Sequence, residues 1–154
     1  MNEIRDTDLR VFVDAVKTYF TNITGQTADV SAAFLGAGDM PNHGYTGAIT
    51  LAGRFRGSVY FTAPRLLLRD LLAQMGEPDT CEENLLDAVG EIANTIAGNA
   101  RQRFGNGLEI SVPSRVRSDA PFAITRRARP FVIRLRWRNL DAAVVVDIEL
   151  NPAA

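Results

Sequence analysis

The chain has 154 residues, 46% of them hydrophobic and 23% charged, with a formal net charge of -1. That length suits one domain with a real core and is short for two, so residues 1–154 are expected to form one domain with its core at about 8–150. The charge argues against nucleic-acid binding by phosphate neutralisation, no apolar run reaches membrane-spanning length, and the first residues lack the basic-then-apolar pattern of a signal peptide.

A single cysteine, Cys81, cannot form an intrachain disulfide. Together these features point to a reducing, cytoplasmic setting.

In chain order, residues 8–24 read as an amphipathic helix. Leu9, Phe12, Val13, Val16, Tyr19, Phe20 and Ile23 repeat at helical spacing, Asp6 or Thr7 can cap the start, and Gly25 suits the stop. A weakly patterned strand is expected over 27–35, then a loop from Gly36 to Gly44. Strands 46–52 and 57–62 form a hairpin through Gly53-Arg-Phe-Arg-Gly57, with Ile49, Leu51, Val59 and Phe61 on one buried face. Pro64 opens a strongly apolar helix from Leu66 to Met75, which Gly76 and Pro78 end.

Thr80-Cys-Glu-Glu83 has the form of a capping box, with Thr80 at the cap. It starts a long helix that runs to about Arg103 or Phe104 and stops at Gly105. Short strands are expected at Leu108–Val112 and over 121–127. The C-terminal hairpin is the clearest β signal, from Phe131 to Arg138 and from Ala143 to Leu150. A four-residue loop, Asn139 to Ala142, would place Arg134 opposite Asp147 on the solvent face. Lys17 is the sole lysine beside 16 arginines, six of which fall between Arg126 and Arg138. A GC-rich genome is the expected source of the excess, and cross-strand acids would neutralise part of the ladder. The element order favours an α+β fold, a mainly antiparallel sheet with long helices packed on one face. Open strand edges raise an exposure problem that edge pairing with a second copy would solve, giving a homodimer.

The long helix carries the most information. At about 100° per residue, Leu85, Leu86, Val89, Ile92, Ala93, Ile96, Ala97 and Ala100 share one face. Asp87, Glu91, Asn94, Gly98 and Arg101 share the other. Glu91 and Asn94 are three apart, so their Cβ atoms lie about 5–6 Å from each other. Gly90 and Gly98 each cost roughly 1 kcal/mol in a helix relative to alanine. An ordinary solvated face would carry Lys, Glu, Gln and Arg. This one is polar but shaved, as if something large must come close.

Other chemistry finds little support. His43 is the only histidine, far in sequence from any nucleophile, which disfavours Ser-His-Asp, Cys-His and His-metal sites. No phosphate-binding G-x-x-x-x-G-K-[ST] loop is present, and Gly36-Ala-Gly38 is too short for a dinucleotide fingerprint. Cys81 sits at a helix start, where a lone cysteine is usually structural.

The string Gly90-Glu-Ile-Ala-Asn-Thr-Ile-Ala-Gly-Asn-Ala-Arg101 resembles the signature helix of the CheC/CheX/FliY family of chemotaxis phosphatases, most closely the single-site CheX type. Gly47–Gly53, Gly57–Phe61, Leu72–Gly76 and Glu109–Pro113 resemble further parts of that family, so the likeness covers roughly residues 8–150. The chain departs from the pattern at Arg117-Ser118, where a glycine is expected, and in its arginine-rich stretch. Asp14 and Lys17 occupy the spacing at which two-site relatives carry a second acid–amide pair.

The resemblance implies a phosphatase for the aspartyl phosphate of a response-regulator receiver domain. Glu91 would pair with the partner's lysine, and Asn94 would orient the attacking water. Asp87, Gly98 and Arg101 would shape the docking surface. No cofactor of the chain's own is implied, and Mg2+ would come with the phosphorylated partner. Relatives of the CheX type dimerise through their sheets. Two other readings stay open, a non-catalytic module of the same fold that binds a receiver or another signalling protein, and a small-molecule domain using the 36–44 loop.

Overall fold

A computed structural model describes residues 4–35, 40–105, 107–118 and 129–152. Among these residues the framework is one antiparallel sheet of seven strands. The strands are β1 (Asp29–Phe34), β2 (Tyr45–Gly53), β3 (Phe55–Ala63), β4 (Leu108–Ile110), β5 (Ser114–Arg117), β6 (Phe131–Trp137) and β7 (Leu140–Leu150). Their order is β1-β6-β7-β3-β2-β4, and β5 continues beside β4 along the same side of β2. Three helices, α1 (Asp6–Thr24), α2 (Arg65–Gln74) and α3 (Glu82–Phe104), share one hydrophobic core with one sheet face. The α+β architecture expected from the element order is therefore present.

Alternation explains which side each strand buries. Ile49, Leu51, Val59, Phe61, Ile133, Leu135, Val144 and Val146 join the helices in the core. The opposite face holds a smaller cluster of Tyr60, Val132, Ala143 and Val145, against which Leu35 and Met40 pack.

Helix α1 begins at Asp6 with Arg5 as its cap, and the Asp8 carboxylate accepts the Arg5 backbone N–H at 3.1 Å. Asp6 and Thr7 are thus already helical. Helix α3 starts one residue later than the capping-box reading allows. Its cap is Cys81, whose side chain makes no capping bond, and Thr80 lies outside. Asp79 decides this: its Oδ1 accepts the Cys81 N–H at 3.1 Å and its carbonyl accepts Asn84 Nδ2 at 3.1 Å.

The C-terminal hairpin is tighter than expected. Its loop is two residues, Arg138 and Asn139, both at positive φ (52° and 61°), the conformation whose twist matches paired strands. Arg134 therefore faces Ala143 rather than Asp147, and Arg136 faces Asp141. The shift is by an even number of residues, so each side chain keeps its predicted face. Asp147 is buried and stands opposite Ser58 of β3. The strand expected at 121–127 lies outside the described residues. No described helix is long and apolar enough to cross a membrane.

Candidate functional site

Helix α3 is clamped against the sheet by an absence of side chain. A Cβ on Gly47 of β2 would run into the Val89 carbonyl oxygen, so glycine there lets helix and strand backbones touch. Beneath the helix, Leu85, Val89, Ile92, Ile96 and Ala100 are buried. That anchoring makes the opposite face a rigid shelf.

Glu91 is exposed on the shelf, and Asn94 and Gly98 are half-buried, with Arg101 exposed beyond them. Among the described residues, no hydrogen bond or ion pair holds the Glu91 carboxylate or the Asn94 amide. Thr95 instead donates its hydroxyl to the Glu91 carbonyl at 2.9 Å, a bond within the helix. A Cβ at Gly98 would meet nothing within 4 Å, so this glycine leaves open space beside Asn94.

Two surface troughs are lined by successive parts of the helix. One, of about 670 Å³, contains Glu91 between Tyr19, Met75, Asp87, Val112 and Arg115. The other, of about 1030 Å³, contains Asn94, Gly98 and Arg101 beside Gly107 and β4. Tyr19 is buried under the first trough, and burial, then the nearby Glu91 charge, pushes its phenol above the ordinary value. Asp87 is not free on this surface. Arg115 of β5 reaches across the helix and donates to its carboxylate.

That crossing corrects one expectation. Gly90 does not belong to the shaved outer face but is buried, and a Cβ there would lie 2.7 Å from Arg115 Cγ and Cδ. Only Gly98 fits the picture of a surface cleared for an approaching body. Arg115, Tyr19 and Val112 escaped the sequence reading because each arrives from another element, and helix periodicity carries no trace of them.

At the start of α3, Tyr45 donates its hydroxyl to Glu82 Oε2 at 2.7 Å, and burial followed by that bond raises the Tyr45 phenol. Arg65 and Arg117 pair with the same carboxylate at 3.8 Å and 3.6 Å. This cluster satisfies itself. Cys81 is exposed beside it. Among the described residues, no three His, Cys, Asp or Glu side chains converge as metal ligands would. Of the loop at 36–44, residues 40–44 are described, and His43 lines an open groove of about 400 Å³ on the outer sheet face. Burial lowers the pKa of His43; the Asp141 charge opposes that and Arg134 adds to it.

The sheet order, the α3 crossing at Gly47 and the bare Glu91/Asn94 shelf can be set beside known proteins. Residues 45–135 match the family described as chemotaxis phosphatase CheX. The chain belongs to that family. The CheX match spans β2 through Leu135 and so includes all of α3.

Solved structures agree in fold. A CheC-like superfamily protein from Shewanella sp. PV-4 superposes with a TM-score of 0.81 at 17% identity, covering 96% of this chain and 99% of that one. CheX from Vibrio vulnificus gives 0.78 at 18% identity, over 93% and 99% of the two chains. A CheX from Borrelia burgdorferi, solved in complex with CheY, BeF3 and Mg2+, gives 0.76 at 15% identity, over 94% and 99%. No curated protein matches the chain in sequence.

Proposed function

We propose that this CheX-family chain hydrolyses the aspartyl phosphate of a phosphorylated receiver domain. The observation that carries the reading is the Glu91/Asn94 pair, one turn apart on a braced helix and without internal partners among the described residues. A carboxylate and a carboxamide left uncommitted beside the bare Gly98 are suited to entering another protein's cleft. The Borrelia relative crystallised with CheY supplies the kind of partner.

The chemistry needs little from this chain. An acyl phosphate is already activated, so holding a water in line with phosphorus contributes through orientation. The Asn94 amide oxygen accepts a hydrogen from that water while its NH2 donates to a phosphoryl oxygen. The water oxygen bonds to phosphorus as the bond to the aspartate oxygen breaks, releasing inorganic phosphate and the free carboxylate. Glu91 docks on the partner's lysine by a charge-assisted bond. Gly98 gives clearance, Arg101 borders the approach, and the Asp87–Arg115 pair shapes its wall. Mg2+ would be held by the receiver, where it would offset phosphoryl charge.

The same reading makes the chain a single cytoplasmic domain that forms a homodimer through sheet edges. Edge strand β1 offers Ser31, Ala32 and Ala33 with no bulky guard between Val30 and Phe34. Sedimentation of the purified chain measures that association.

The test of the function is a panel of phosphorylated receiver domains incubated with the wild type and with the double variant Glu91→Ala/Asn94→Ala. The wild type is expected to accelerate loss of phosphate from at least one receiver, and the variant to leave spontaneous decay unchanged. A wild type that binds a receiver without hastening decay points instead to a binding module.

A further inference from the structure

Four large apolar side chains stand exposed among the described residues, Phe34, Leu66, Met75 and Val112. Met75 and Val112 both border the trough that holds Glu91. Val112 is the most exposed of the four, at 86%. It does not sit on a slack loop. The Ser111 N–H donates to the Thr50 carbonyl at 3.0 Å, and the Thr50 N–H donates to Ser111 Oγ at 2.9 Å. Ser111 Oγ in turn donates to the Val112 carbonyl at 3.0 Å, and Pro113 stiffens the next step. The β4–β5 junction thus holds a valine out into solvent at a fixed place.

The charges around it are unbalanced. Glu77, Asp87 and Glu91 line the trough with one cation, Arg115, and Arg115 is engaged by Asp87. Glu77 accepts the Asp79 N–H at 2.9 Å but, like Glu91, has no ion pair among the described residues. Rigid apolar groups rimmed by uncompensated charge mark a contact surface for a partner of opposite charge.

We propose that this trough is a specificity surface for the phosphorylated receiver, accepting an apolar side chain against Val112 and Met75 beside a basic side chain that faces Glu77. The inference rests on the receiver-phosphatase reading and extends it from the reacting centre to the choice of partner. Receivers with a basic–apolar pair at the facing position are selected, and those with an acid there are rejected.

The experiment compares the wild-type chain, Val112→Ser and Val112→Ile on the receiver that the wild type dephosphorylates fastest. Steady-state turnover is measured together with the Kd for that receiver activated by beryllofluoride. The serine variant is expected to raise KM and Kd about tenfold, as loss of a buried valine contact would, with kcat at saturation unchanged. The isoleucine variant is expected to restore both values, and all three proteins to melt together because position 112 is exposed. Wild-type KM and Kd in Val112→Ser overturn the inference while leaving the phosphatase reading intact. A wild type that neither binds nor dephosphorylates any receiver overturns both. If the wild type binds without turnover, the Kd comparison decides the matter.

Discussion

Gly47 stands where α3 crosses the sheet, and Gly98 stands on the open side of the same helix. At the crossing the missing Cβ admits the Val89 carbonyl and brings two backbones into contact. On the open side nothing fills the space, so local packing gives no reason for glycine at 98. One residue type therefore serves two ends, close packing within the chain and clearance for another molecule. Gly90 falls with the first group, since Arg115 lies over it.

This contrast is broken most strongly at the crossing. Gly47→Ala puts a methyl against backbone, which cannot rotate aside, and is expected to cost about 2–3 kcal/mol of stability in urea unfolding. Loss well below 1 kcal/mol would mean that helix and strand separate easily. Gly98→Ala is expected to do the reverse. The helix gains roughly 0.5–1 kcal/mol in the same assay, while turnover of a phosphorylated receiver falls by roughly tenfold or more because the methyl holds the partner off. A variant both more stable and fully active would remove the clearance argument.

A smaller effect reports on the shelf itself. Burial first, and the Glu91 charge second, raises the Tyr19 phenol. The folded chain keeps that proton where the unfolded chain would lose it, so the associated stability is present below a pH of about 10 and declines as pH rises beyond it. Glu91→Gln removes the lesser cause. Ultraviolet titration should then show Tyr19 ionising at lower pH than in the wild type, still above an ordinary tyrosine. An unmoved titration would show that the Glu91 charge does not reach the ring.

Much of this was legible in the sequence where a local rule dominates. The apolar side of α3, the alternation of β2, β3, β6 and β7, and the placement of Glu91, Asn94 and Arg101 on the outer side of the helix follow from periodicities of about 3.6 and 2 residues. The E-x-x-N string in its element order was enough to suggest the family. What local pattern could not supply was set by contacts across the chain. The two-residue turn at Arg138-Asn139 lacks the usual glycine signal, so the sequence reveals the faces of the hairpin but not its register. Gly90 looked like a surface glycine because Arg115, 25 positions on, is invisible to helix spacing. The Thr80 cap was displaced because Asp79 takes the next N–H first. Strand β5 leaves little trace in the sequence because Ser114–Arg117 has only a half-buried Val116 to mark it.

If Asn94 acts on a water at another protein's phosphorus, single-turnover dephosphorylation of a receiver must suffer in Asn94→Ala. With the Kd for the beryllofluoride-activated receiver measured alongside, hydrolysis is predicted to slow by about 100-fold or more while affinity stays within about threefold of the wild type. Wild-type hydrolysis by Asn94→Ala would mean that Asn94 does not position the attacking water.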